Sequence, residues 1–210
     1  MGSLAPILDK KASVKLRPEL WQKHKEIVAG FWDSISRFID SLNVNGFRVY
    51  QDGLVTDGME GLRIIREGIS QGSRNYDIVG KLLEKGAVLM KTEDLSLVKQ
   101  EYSHITEMAG SKSLKERETA ALRYKLAKGK LLKQRDDFIA KRIEEGLGEG
   151  ETGILFIGAY HNIIPNLPPD IKVVRVKEVD KVREYHTALI NKRRWDRYLQ
   201  ELGEYLVSPP

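Results

Sequence analysis

Residues Thr152–Leu167 read TGILFIGAYHNIIPNL, and their reading decides the fold. Ile154-Leu155-Phe156-Ile157 is an unbroken apolar run that ends at Gly158, with His161 three residues further on. Four large apolar residues without polar alternation fit a strand covered on both faces, which is the habit of parallel sheets. Gly158 lets the backbone turn tightly where that strand ends. A polar group just past the carboxyl end of such a strand lies where open α/β sheets bind ligands.

Working outward, two more strands are expected on the N-terminal side. Phe47-Arg48-Val49-Tyr50 is expected as a short strand broken by Gln51-Asp52-Gly53, and Ala87–Met90 as a second, followed by Thr92-Glu93-Asp94. Helical patterns over 58–67 and 75–85 separate them, which makes a strand–helix–strand unit and favours a parallel crossover. Pro18 opens an amphipathic helix that runs from about Glu19 to Leu42. On the C-terminal side, Ile171–Val176 alternates partially and is expected as a fourth strand near an edge. A last helix is expected over Val179–Leu206. The resulting fold class is α/β, three-layered, with a mostly parallel sheet of about four strands and a long helical segment between the second and third. Residues 1–16 are expected to form a loose arm, 17–206 one α/β domain with its helical segment at 95–147, and 207–210 a tail.

Composition narrows the function. There are no cysteines, so disulfides, thiolate metal sites and cysteine nucleophiles are excluded together. No apolar stretch approaches the length of a membrane span, and the expected location is cytoplasmic. Lys and Arg number 35 against 30 Asp and Glu, and the +5 balance is spread through mixed charges. That pattern reads as a solvated surface rather than a nucleic-acid footprint. The apolar first helix, with Trp21 and Trp32, suits either an intramolecular core or a homodimer face.

Chemistry is sought at the strand ends. His161 reads either as a metal ligand or acid–base group, or as a loop histidine bonded to backbone. In Leu131–Ile143, LLKQRDDFIAKRI, the stripe Leu132, Arg135, Phe138, Ile139, Arg142 and Ile143 places two arginines on the apolar face. A guanidinium there needs a carboxylate, a phosphate or carbonyls, or its stem lies on the core while its head reaches water. Gln51, Asp52, Asp57 and Glu60 follow the first strand, and Glu93 and Asp94 the second. In a parallel sheet all of these gather on the same edge as His161. Asp94 also reads as an ordinary helix cap and Asp52-Gly53 as an ordinary turn pair. Gly72-Ser73-Arg74-Asn75 precedes a helix and could present free amides to an anion.

The second half of the chain resembles a known family. Arg135-Asp136-Asp137-Phe138-Ile139-Ala140-Lys141-Arg142-Ile143, a short loop, then Ile154-Leu155-Phe156-Ile157-Gly158-Ala159-Tyr160-His161, is similar to the C-terminal part of the TraB/PrgY, ChaN and erythromycin-esterase-like superfamily. The likeness covers residues 131–167. Those proteins show an R-(D/N)-x-x-(M/I)-A helix and then a strand ending in G-x-x-H. They carry two G-x-x-H motifs with a glutamate and an arginine. The resemblance implies an α/β fold and a metal-dependent hydrolase or protease, with Arg135 as the helix arginine and His161 as the second histidine. At the first motif the chain departs: Gln51-Asp52-Gly53 follows Tyr50 with no histidine, so Asp52 and Glu93 are the residues that would replace the missing ligand.

The expectation is therefore a hydrolase-like, metal-assisted site at the carboxyl edge of the sheet, or a non-catalytic module that binds a small anionic ligand or a protein partner there. His161, Arg135 and Glu93 are the catalytic candidates. Gln51, Asp52, Arg74, Asn75 and Asn162 are the ligand-binding candidates. His161 and Asp52 are the candidate ligands of a divalent metal ion, the expected cofactor, and a small molecule or a peptide is the expected ligand.

Overall fold

The structure, a computed structural model, describes residues 18–191 and 195–210. The expected N-terminal arm and the basic run 192–194 lie outside the described residues. Helix α1 spans Pro18–Asp40, β1 Arg48–Gln51, α2 Gly58–Ser70, α3 Arg74–Glu84 and β2 Val88–Met90. A helical hairpin follows, α4 at Leu95–Gly110 and α5 at Leu114–Gly146. Then come β3 at Gly153–Phe156, a single 3₁₀ turn at Ile164–Asn166, α6 at Val179–Asn191 and α7 at Arg197–Val207.

The sheet is parallel throughout, in the order β2-β1-β3, with Tyr50 beside Met90 on one side and Leu155 on the other. Alternation splits each strand between two cores. Val49, Leu89, Ile154 and Phe156 face a cluster built with Ile35 and Ile39 of α1, Ile65 of α2, and Val79 and Leu82 of α3. Tyr50, Met90 and Leu155 face Ile139 and Ile143 of α5. Helices thus cover both faces, which suits the apolar runs of β2 and β3. A third cluster joins Leu20 of α1 to Tyr185 and Leu189 of α6 and Leu199, Leu202 and Leu206 of α7.

Three expectations are corrected. The sheet has three strands among the described residues, not four, and the chain is richer in helix than the α/β expectation implied. Residues 171–176 form no ladder. Ile171 packs with the α5-side core and Val176 with the opposite one, so this segment passes from one face of the sheet to the other. Val173 and Val174 between them are left outside, with Val174 73% exposed. The single C-terminal helix expected over 179–206 is instead two helices packed on each other. Asp196 starts the second: its side chain accepts the Leu199 amide at 2.9 Å, an N-cap.

Candidate functional site

Because all three strands run the same way, their carboxyl ends open on one edge. After β1 the chain turns at Gln51–Leu54, and the Leu54 carbonyl accepts both the Thr92 and the Glu93 amides at 2.9 Å. Thr92 Oγ1 in turn accepts the Gln51 amide at 3.0 Å. These bonds zip the turns after β1 and β2 together, so Asp52 and Glu93 arrive side by side. After β3 the Asp52 amide donates to the Phe156 carbonyl at 2.8 Å, and the Gly158 amide donates to Asp52 Oδ2 at 3.1 Å. A Cβ on Gly158 would stand 3.1 Å from that same oxygen and 3.5 Å from His161 Cδ2, so the absence of a side chain permits this close approach.

Arg135 enters from α5 and fills the centre. Its Nη2 donates to Asp52 Oδ1 at 2.8 Å, and its Nε spans both Glu93 oxygens at 3.1 and 3.2 Å. Nη2 also meets Glu93, and Nη1 meets Glu101 of α4. Burial alone would make this guanidinium easier to deprotonate, but the Glu93 hydrogen bonds and the charges of Glu93, Asp52 and Glu101 outweigh it and hold it charged. The arginine therefore faces inward, and its head does not reach water. Burial pushes the Glu93 carboxyl above its ordinary range. The Arg135 hydrogen bonds pull the other way without overcoming it, and the Asp52 charge adds to the rise.

His161 closes the ring. Its Nδ1 lies 2.5 Å from Asp136 Oδ1, and its Nε2 faces Asp52 Oδ2 at 3.7 Å. One donor atom each from Asp52, Glu93 and His161 lie within 4.8 Å of one another. Bonds of about 2.0–2.2 Å to a transition metal allow ligand pairs to stand about 3–4.4 Å apart, so these groups need little adjustment to close on one ion. Two carboxylates and an imidazole suit a divalent cation of intermediate hardness. The guanidinium is the counterweight, since it shares Asp52 and Glu93 with any such ion.

The other expected residues separate. Gln51 is buried beneath the site: its Nε2 donates to the Asp52 carbonyl at 3.0 Å and its Oε1 accepts from Asn75 at 3.3 Å. Both support the turn and do not face the centre's donor atoms. Arg74 is exposed and reaches Asp33 on α1 at 3.3 Å, so it takes no part. Asn162 contributes its backbone amide, which donates to Asp136 Oδ2 at 2.9 Å, while the residue itself is exposed. Asp57 and Glu60 are on the surface. Asp94 caps α4, accepting the Ser96 and Leu97 amides at 2.8 and 3.1 Å. Arg142 is half-buried and bonds Lys91 O at 3.4 Å and Glu145 at 2.9 Å, so its stem lies on the core while its head meets a surface residue.

Three participants had not been expected. Asp136 is buried beside Arg135 and holds His161. Its spacing of three, four and seven from Ile139, Ala140 and Ile143 was the available signal. Glu101 links α4 to Arg135 and also accepts the Tyr124 hydroxyl at 2.8 Å. Burial, then that bond, raises the Tyr124 hydroxyl, which stays a donor. Arg183 of α6 donates to the Ala159 carbonyl at 2.6 Å and the His161 carbonyl at 3.3 Å, bracing the histidine loop from outside.

No family model matches the chain, and no curated protein or solved structure matches it either.

Proposed function

We propose that the chain binds a divalent cation through Asp52, Glu93 and His161, and that this centre carries out metal-assisted hydrolysis of a small ester or peptide. The observation that supports this reading most is the convergence of three ligand-type groups from three successive parallel strand ends, beside a buried arginine. Bound there, a divalent cation would polarise a carbonyl and acidify a water. Asp52 and Glu93 would hold it, His161 would complete the ligand set, and Arg135 would fix the carboxylates in place. The likeness of residues 131–167 to the TraB/PrgY, ChaN and erythromycin-esterase-like proteins belongs to the same reading. A cavity of about 300 Å³ lies against the outer side of Asp136, lined also by Lys133, Tyr160, Asn162 and Asn166, and is the place for a small molecule or a peptide end.

Burial favours a second reading. The side chains of Glu93, Asp52 and His161 are 0, 6 and 6% exposed, and closed metal sites are typically structural, whereas catalytic ones keep an open position. On this reading the cation, or Arg135 alone, ties the strand ends together and the chain is a binding module. One experiment separates the two. Chelator-treated wild type and His161→Ala are titrated with Mn²⁺ and Zn²⁺ and assayed on generic esters and peptides. Cation binding with turnover that His161→Ala abolishes supports the hydrolase. Binding without turnover supports the module. No cation binding by wild type at millimolar metal overturns the hydrolase and leaves Arg135 alone to tie the strand ends.

A further inference from the structure

We propose that Asp136 is a positioning residue of this centre: it fixes His161 in the tautomer that carries its hydrogen on Nδ1, so that the bare Nε2 faces Asp52 and Glu93. The proposal rests on the cation-binding reading above and goes beyond it by assigning the proton.

Both oxygens of Asp136 are committed to the histidine loop. Oδ1 stands 2.5 Å from His161 Nδ1, and Oδ2 accepts the Asn162 amide at 2.9 Å. A carboxylate that already accepts one backbone N–H is an acceptor toward the ring as well, which puts the hydrogen on Nδ1. At the other end of the ring the facts differ. Nε2 is 3.7 Å from Asp52 Oδ2, beyond hydrogen-bond distance. Asp52 Oδ2 already accepts the Gly158 amide at 3.1 Å. A hydrogen on Nε2 would face that oxygen across a gap too long for a bond, in a place with almost no access to water. A lone pair on Nε2 is what a cation needs. The gap on this side is the size of an ion's two bonds, while the bond on the other side is short.

The loop is held so that the ring has little freedom. The His161 amide donates to the Gly158 carbonyl at 3.0 Å, and Arg183 binds the Ala159 and His161 carbonyls. Ile163, two residues on, is buried with Ile139 and Ile143 of α5, the helix that carries Asp136. Histidine and its orienting carboxylate are therefore fixed to one helix. Outer partners of this kind set ring orientation and raise ligand basicity, and their loss typically weakens metal binding about 10–100-fold.

Two readouts test this, and only one needs metal. In chelator-treated ¹⁵N-labelled wild type, long-range ¹H–¹⁵N correlation should show His161 Nδ1 protonated and Nε2 bare, and Asp136→Ala should lose that preference. Calorimetric Zn²⁺ titration should then show about 10–100-fold weaker binding by Asp136→Ala. Asp136→Asn, whose amide oxygen still accepts from Nδ1, should keep the tautomer and bind at an intermediate strength. If Asp136→Ala does not fold, the wild-type tautomer and the weaker Zn²⁺ binding of the asparagine variant carry the test. A wild-type His161 with its hydrogen on Nε2, or equal Zn²⁺ affinities for wild type and a folded Asp136→Ala, would overturn the assignment. A wild type that shows the expected tautomer but takes up no Zn²⁺ would sink the cation reading and leave the role of Asp136 standing.

Discussion

Replacing Arg135 with alanine should do more to this fold than any other surface-to-core charge change. The side chain is 9% exposed and serves Glu93, Asp52 and Glu101 together, and Glu93 has no exposure at all. Without the guanidinium, at least two buried carboxylates are left facing one another without compensation. Breaking a buried pair by removing one partner typically costs about 3–5 kcal/mol, because the remaining charge keeps its desolvation penalty. Against a usual total of about 5–15 kcal/mol, that loss leaves the variant marginal. Urea unfolding followed by circular dichroism at neutral pH measures it.

Two features separate this mechanism from lost packing. In Arg135→Ala the freed carboxylates have raised proton affinity in the folded state, so folded protein binds more protons than unfolded, and variant stability falls as pH rises. The deficit against wild type should therefore be larger at pH 8 than at pH 5. A divalent cation at millimolar concentration should recover part of it. Arg142→Ala is the control: half-buried, bonded to Lys91 O and Glu145, it should cost about 1 kcal/mol or less. A deficit below about 1 kcal/mol for Arg135→Ala, or one that does not change between the two pH values, would refute the charge argument.

Three further outcomes follow from other sites. The Tyr50 hydroxyl is buried with no hydrogen-bond partner among the described residues, so Tyr50→Phe should be neutral or stabilise by about 1 kcal/mol in urea unfolding. Gly158→Ala drives a methyl group to 3.1 Å from Asp52 Oδ2 and should cost about 1–2 kcal/mol while weakening Mn²⁺ or Zn²⁺ uptake in the same titration. His24 bonds Tyr185 at 3.1 Å, and burial, then His186, push its ring down to about 4. Its folded value lies below the unfolded one, so the stability tied to its neutral form is present above about pH 6.5 and is lost as pH falls toward 4, on the order of 2–3 kcal/mol. His24→Gln should flatten that part of the acid unfolding profile relative to wild type.

How much of this was legible follows from which signals are local. The apolar run before Gly158 and the shorter runs ending at Tyr50 and Met90 are local, and the parallel direction they implied carried Asp52, Glu93 and His161 to one edge. Arg135 was legible because a charge interrupts an otherwise apolar helical stripe. Asp136 carries the same periodic signal, but next to an arginine and another aspartate it reads as one acid among several. Glu101 and Arg183 have no local mark: each acts through a partner 34 or 22 residues away in sequence. The place of Arg74 apart from the centre was illegible for the same reason, since Asp33, its partner, is on a distant helix. The fourth strand failed because Ile171 and Val176 fit opposite cores, a three-dimensional fact that a partial alternation cannot encode. The break between α6 and α7 did have a local sign, Asp196 ahead of the apolar spacing of Leu199, Leu202 and Leu206.

Charge balance explains why the centre asks for something more than its own residues. Asp52, Glu93 and Glu101 all bond Arg135, the one permanently charged cation bonded to them among the described residues, and Asp136 holds His161 beside them. A water-poor site cannot hold several uncompensated anions, because each costs several kcal/mol to desolvate. Two remedies exist: protons or a cation. Burial favours the first at Glu93, because it raises that carboxyl toward its neutral form. The second needs donors that stand close together, and Asp52, Glu93 and His161 each offer one ligand-type atom within 4.8 Å of the others. The remedies compete for the same oxygens. Cation uptake should therefore release protons and weaken as pH falls through the Glu93 range, whereas a network held by Arg135 alone would take up protons there with no metal in play. Glu93→Gln removes both remedies at one residue. It should lower cation affinity while leaving wild-type-like stability in the chelator-treated protein, because a neutral side chain there removes the burial penalty along with one of the three carboxylates that pair with Arg135.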